Sequence, residues 1–385
     1  MTGTTRNDQA VRPSFTMTSR TSPTSRITIA GRCGGSIIAA AVLAATLAGQ
    51  TVAQVPGRLV LVNAPGVSGD IIAVSPMGVE IDVRGESKKV PIETIREVTF
   101  AAEPQSLKAA RVAIMRGQAA QAIDDLAKIE PAEMEGAEQL IVDELEFAKA
   151  AAIGGQAAAS GENLAAGEKA VRDYLGKLAQ SHHAFPMQEL LSKILARSGK
   201  FADAAAALAP LDRGPPAYRV RAATARAGLA YEQKKYDEAL QEFTAAAKIP
   251  TDPQDTPSAA QKRSAELGAA RCLARQSKGA EAVAAAERIV VDSDPDDVEI
   301  LGQAYNVLGD AQRSVGKDQD AIISFLTVSL VYNSVGENRA EALYNLAQLW
   351  DRAKYPQRAE EARQELASAY PDSEWARKLA AGKGS

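Results

Sequence analysis

Residues 302–325 read GQAYNVLGDAQRSVGKDQDAIISF, and their spacing decides the fold. Leu308, Gly309, Gly316, Ala321 and Phe325 stand at offsets 0, 1, 8, 13 and 17. Leu346, Ala347, Lys354, Ala359 and Arg363 repeat the same offsets, with Pro371 at 25. Ala227, Tyr236, Ala239 and Phe243 fit once more, as do Leu191, Phe201, Ala204 and Leu208. Ala109, Gly117, Ala122 and Leu126 make an earlier copy, and Leu267-Gly268 opens another whose second half fits loosely. A helix of 12–15 residues cannot bury its apolar stripe alone. A short turn folds a second helix back on the first. Alanine at the crossing lets the backbones approach, and a large residue four positions on fills the groove of the next helix. Stacked copies then share one continuous core. The units recur at 35, 41, 41 and 38 residues, the excess lying in links such as 249–258, which holds three Pro.

These copies resemble the tetratricopeptide repeat. Tyr236-Asp237-Glu238-Ala239-Leu240 and Gly316-Lys317-Asp318-Gln319-Asp320-Ala321-Ile322 resemble its turn and second-helix start. Ala369-Tyr370-Pro371-Asp372-Ser373 resembles the repeats of periplasmic members such as the Tol-Pal coordinator and outer-membrane assembly lipoproteins. The resemblance covers roughly 105–378 and implies about seven hairpins in an α-solenoid. Within it, 140–152 and 164–178 read as partner helices separated by a Gly/Ala/Ser break at 154–161, an atypical hairpin with a long loop. Residues 375–379 read as a short cap, and 379–385 as a disordered tail.

The resemblance also implies a binding surface on the concave face of each unit's first helix. The matching positions are Arg221, Thr224, Gly228 and Tyr231; Gln303, Asn306, Asp310 and Arg313; and Glu341, Tyr344, Gln348 and Asp351. They are polar and of mixed charge, suited to a peptide backbone or a partner helix. No unit carries the Lys/Asn pair of the family's carboxylate clamp, so that mode is not carried over.

Ahead of the repeats, Val79, Ile81 and Val83 alternate with Glu80, Asp82 and Arg84, a period of two. Further strands are expected at 58–63, 70–75, 88–91 and around Val98 and Phe100, separated by Pro/Gly turns. Five short strands within 55–101 suit a small closed barrel or curled sheet, similar to SH3-like or Sm-like modules. It is too small to stand alone and is expected to pack on the first helices.

Residues 1–53 read as a secretory signal. Arg20, Arg26 and Arg32 precede a twelve-residue apolar run at 37–48, followed by small-residue sites ending at Ala48 and Ala53, the latter preferred. The run is short of the roughly 20 residues that span a bilayer. Met17 is an alternative start, and an uncleaved N-terminal anchor is the alternative to cleavage. Gln50 stands where a lipidated Cys would have to be. The mature chain is therefore expected outside the cytoplasm, in a bacterial periplasm.

Of 44 basic and 48 acidic residues, five Arg and one Asp lie in 1–53, leaving 39 against 47. That balance speaks against a nucleic-acid partner. Ala-rich composition with 5% aromatics favours close-packed helices. Of two cysteines, Cys33 falls in the signal and Cys272 in a helical apolar pattern, so no disulfide is expected. His182 and His183 read as a solvated inter-helix loop whose rings point apart, with no ligand cluster at metal spacing. Asp292, Asp294, Asp296 and Asp297 read as a turn and helix cap, lacking the glycine of a calcium loop. No nucleotide-binding or hydrolase motif occurs. The sequence thus points to a non-enzymatic scaffold without cofactor or metal, binding protein or peptide partners in the cell envelope. The alternative is a structural subunit of a larger envelope assembly that makes its contact through the β module.

Overall fold

The computed structural model describes residues 54–62, 64–252, 254–371 and 373–382. The signal read at 1–53, with Cys33, lies outside the described residues, as do positions 383–385.

Five antiparallel strands open the described chain: β1 (Val55–Leu61), β2 (Val67–Ser75), β3 (Gly78–Val83), β4 (Glu86–Pro91) and β5 (Ile95–Phe100). Their order is β4-β3-β2-β1-β5, so β2 is central and β1 lies between it and the last strand. Register shifts at Val60/Leu61 and Ile71/Ala73 curl the sheet. The expected alternatives were a closed barrel and a curled sheet; β4 and β5 remain its two edges, so it is curled. Between β3 and β4, Arg84 and Gly85 both take left-handed φ (59° and 86°), and Asp82 Oδ1 accepts from Gly85 N at 2.6 Å. This is the two-residue turn that suits the twist of a hairpin.

Fifteen α-helices follow: α1 (Gln105–Met115), α2 (Ala119–Leu126), α3 (Gln139–Ser160), α4 (Leu164–Lys177), α5 (Ala184–Arg197), α6 (Phe201–Ala207), α7 (Pro216–Glu232), α8 (Tyr236–Ala247), α9 (Thr256–Arg275), α10 (Gly279–Asp292), α11 (Val298–Ser314), α12 (Asp318–Leu330), α13 (Gly336–Arg352), α14 (Pro356–Ala369) and α15 (Glu374–Gly382). They form seven hairpins and one terminal helix, a TPR-like solenoid. Odd-numbered helices from α7 on pack along one another, and each even helix packs on the odd helix after it. Successive even helices scarcely meet. The odd helices therefore line the inside of the curve.

The signature residues do what their spacing requires. Ala321, Phe325, Leu346 and Leu366 share one buried cluster spanning two hairpins. A Cβ on Gly309 would stand 2.7 Å from the Phe325 ring, so glycine lets α12 seat its aromatic against α11. Six of the seven odd-to-even turns share one backbone device, the α3–α4 turn being the exception. Gly117, Gly199, Lys234, Ser277, Gly316 and Lys354 each sit two residues before the second helix with φ between 62° and 77°.

Three expectations are corrected. Helix α3 runs unbroken through the Gly/Ala/Ser stretch. Its glycines serve contact, not breakage: a Cβ at Gly154 would lie 2.6 Å from Val171, and one at Gly167 of α4 would lie 2.5 Å from Ala157. The loop between these helices is correspondingly short. Residues 379–382, read as disordered tail, are the end of α15. That helix is held by Trp375 packing on Tyr344 of α13, ring centroids 5.3 Å apart, and by Leu379 in the same cluster. The histidine pair is the third correction and is described below.

The sheet is not a separate body. Val55, Leu59, Ile71, Val79, Ile81, Val98 and Phe100 are buried together with Leu107 of α1 and Ile141, Leu145 and Ala148 of α3. The module closes the open end of the solenoid core, as a capping element must.

Candidate functional site

The inner face is best formed where α7, α9 and α11 meet. Tyr231, Arg271, Ala274, Arg275, Asp310, Arg313 and Ser314 line a cavity of about 140 Å³ there. Arg275 Nε donates to the Tyr231 hydroxyl at 3.0 Å. Arg313 donates to Asp310 at 2.7 Å and to Asn345 of α13 at 2.9 Å. Arg271 reaches across α11 and donates to both carboxylate oxygens of Glu341 on α13, at 3.0 and 2.9 Å. Burial of Glu341 pushes its pKa up against the pull of Arg271, while the Glu341 charge raises that of Arg271. Asn306 is fully buried and donates to Asn338 O at 2.9 Å and to Glu341 at 3.3 Å. Three guanidiniums against two carboxylates leave one net positive charge on this face.

The structure brings five of the twelve sequence-chosen residues together: Tyr231, Asp310 and Arg313 on the cavity, with Asn306 and Glu341 in the network beneath it, while Thr224 and Gly228 are half-buried on α7. Gln303 and Gln348 are half-buried on α11 and α13. The other three have packing partners. Arg221 pairs with Glu189 of α5 and lies 4.9 Å from the Tyr218 ring centroid. Tyr344 is under Trp375. Asp351 is exposed and pairs with Arg363 of α14, across its own hairpin. Sequence reasoning missed Arg271 and Arg275. The repeat register at Leu267 points instead to Lys262, Ala265, Ala269 and Cys272, so the repeat pattern carried no signal for either arginine.

A second polar cluster lies at the other end, where the sheet meets α1, α3 and the α4–α5 turn. Arg111 of α1 donates bidentately to Glu103, at 2.5 and 2.7 Å, and approaches Glu144 of α3 at 3.4 Å and Glu97 of β5 at 3.6 Å. Burial works against the Arg111 charge, yet Glu103, Glu144 and Glu97 outweigh it and raise its pKa. The histidines, expected in solvent, close this cluster. Both Nε2 atoms point at Glu144 Oε1, at 3.3 Å for His182 and 2.9 Å for His183. Their rings stand 3.8 Å apart, and His183 stacks on Phe147 at 3.4 Å. The turn Ser181-His182-His183 is folded inward: Ser181 Oγ accepts from His183 N at 3.1 Å and from the Tyr174 hydroxyl at 2.9 Å. Burial opposes the Glu144 charge, but His183, His182 and Arg111 hold its carboxyl at about 2. Burial, then the neighbouring His183 and Arg111, push His182 down to about 3. No sequence signal joins Glu103, Arg111, Glu144 and a histidine pair about forty residues further on.

Elsewhere the acidic turn behaves as read. Asp297 Oδ1 caps α11 by accepting from Ile300 N at 3.2 Å, and Asp294 accepts from Asp296 N at 3.0 Å. Cys272 is fully buried, its thiol pushed up by burial to about 11. Among the described residues no helix is long and apolar enough to cross a membrane.

Fold and inner face together define a TPR-like helical-hairpin solenoid with a polar concave surface. A tetratricopeptide repeat protein from Parabacteroides merdae is similar at 16% identity over 72% of this chain and 98% of that one, with a TM-score of 0.45. NprR in complex with its cognate peptide NprX is similar at 11% over 71% and 79%, TM-score 0.44. A Rap protein complexed with competence and sporulation factor is similar at 13% over 70% and 76%, TM-score 0.45. No family model and no curated protein matches the chain.

Proposed function

We propose that the chain is a scaffold that binds a protein or peptide partner on the inner face between α7 and α13, outside the cytoplasm. The observation that carries the reading is the cavity at Tyr231, Arg275, Asp310 and Arg313, where three successive inner helices present charged and hydrogen-bonding groups to one space. Arg275 is exposed, and its net positive surroundings favour a segment carrying an acidic group. The apolar run at 37–48 behind three arginines supports export.

A photoreactive residue at Ser314, exposed on the rim of the cavity, tests the reading in cells. It should trap a discrete partner, and Arg275→Glu with Arg313→Glu should abolish the capture. Capture from a probe at Lys88 on the exposed β4 edge, with none from Ser314, would instead favour the structural-subunit reading. Export is tested by fusing, after residue 385, a reporter enzyme that matures only outside the cytoplasm. Activity that survives deletion of residues 1–53 would overturn that part.

A further inference from the structure

Glu144, His182 and His183 lie away from the inner face, at the junction of the sheet with the first hairpins. We infer that these three side chains form a binding site for one divalent transition-metal ion of the zinc class, held by Glu144 Oε1 and the Nε2 atoms of both histidines.

The donor set is the first argument. Two imidazoles and one carboxylate suit zinc and its neighbours, and three protein ligands leave a position for water or a further ligand. Geometry is the second. The three ligand atoms all lie within 4.8 Å of one another, with Glu144 Oε1 at 2.9 and 3.3 Å from the two nitrogens. Bonds of about 2.0–2.2 Å around a tetrahedral ion separate its ligands by about 3.3–3.6 Å, so Glu144 Oε1 already stands within a few tenths of an ångström of that spacing from the His182 nitrogen and within about 0.4–0.7 Å of it from the His183 nitrogen.

The third argument is an unmet demand. His182 is 5% exposed, yet neither of its ring nitrogens has a hydrogen-bond partner. A buried polar group left so costs about 1–3 kcal/mol; an ion on Nε2 answers the demand of that nitrogen and leaves Nδ1 as it is. The surroundings are also built to orient the ligands. Arg111 faces Glu144 Oε2 at 3.4 Å, leaving Oε1 for the ion. Phe147 fixes the His183 ring, and Ser181 fixes its backbone.

Charge is the fourth argument. With neutral imidazoles, Glu97, Glu103 and Glu144 against Arg111 leave two net negative charges, which one divalent ion balances. Arg111 does not repel the ion strongly, because Glu103 holds it bidentately. The His183 side chain, 18% exposed, provides the way in.

The full-length chain, stripped with a chelator, should bind one equivalent of Zn²⁺, and Co²⁺ should give visible d–d bands at the same stoichiometry. His182→Asn and His183→Asn should each weaken binding by about 100-fold or more, beyond the loss expected for an outer-sphere residue. Far-UV circular dichroism checks that each variant keeps its helices. If His182→Asn fails to fold, the Co²⁺ spectrum and the more exposed His183→Asn decide. Absence of saturable one-equivalent binding, or binding that both variants retain, overturns the site. The inner-face reading stands or falls separately, since Ser314 capture does not depend on it.

Discussion

Arg111 is 4% exposed and faces Glu103, Glu144 and Glu97, so its charge is both demanded and satisfied. Removing one partner of a buried pair leaves uncompensated charge. Arg111→Met should therefore cost roughly 3–5 kcal/mol in urea denaturation, and adding Glu103→Gln should recover part of it. Cys272 makes a second prediction at this scale. Thiolate is the reactive form, and burial holds the thiol at about 11 in the fold. At pH 8 the native Cys33→Ser chain should resist a thiol reagent, and the same chain unfolded in urea should react rapidly. Fast labelling of the native chain would contradict that burial. The individual residues were the least legible level of the sequence. Tyr231, Asp310 and Arg313 could be placed because the helical repeat fixes which positions face inward. The histidine pair could not, because its partners Glu144 and Phe147 come from α3, about forty residues earlier, and meet it only through the tertiary fold.

The hairpin turns show how much an element reveals. Lys234, Ser277 and Lys354 occupy the left-handed position that Gly117, Gly199 and Gly316 fill in the other turns. A side chain there costs about 1–2 kcal/mol and glycine's extra chain entropy only about 0.5–1 kcal/mol, so glycine keeps a net advantage. Lys234→Gly, Ser277→Gly and Lys354→Gly should each stabilise by about 0.5–1 kcal/mol in chemical denaturation. Gly309→Ala should destabilise by about 1–3 kcal/mol, because the new methyl meets the Phe325 ring. Repeat spacing made Lys354 legible as the equivalent of Gly316. It misled at α3, where a run of glycine, alanine and serine reads locally as a break. Only the facing Val171 and Ala157 show that small residues were needed for close helix contact.

At the scale of the whole chain, stability in a solenoid is close to a sum of neighbouring interfaces. The sheet module shares its core with α1 and α3, and Ile92 and Ile95 reach the cluster of Phe185, Tyr218 and Ala222 on α5 and α7, so its effect should stay within the first half of the helices. Deleting residues 55–101 should abolish hydrogen-exchange protection in α1 and α3 while α9 to α14 stay protected. Uniform loss along the chain would show a more cooperative fold. Hairpin number and order were legible because each copy carries its own packing pattern. The open edges of the sheet were not, since closure depends on pairing between β4 and β5 that no local pattern encodes. The contact of Arg271 with Glu341 also has a mechanical meaning. A coil with a strap tied from one turn to the second turn beyond, on the inside of the bend, has a set pitch and a stiff segment. An anion that draws Arg271 away unties the strap and slackens that segment. Occupancy would then be converted into extension, readable as a change in distance between labels on α7 and α15, which makes the scaffold a strain gauge for its own ligand.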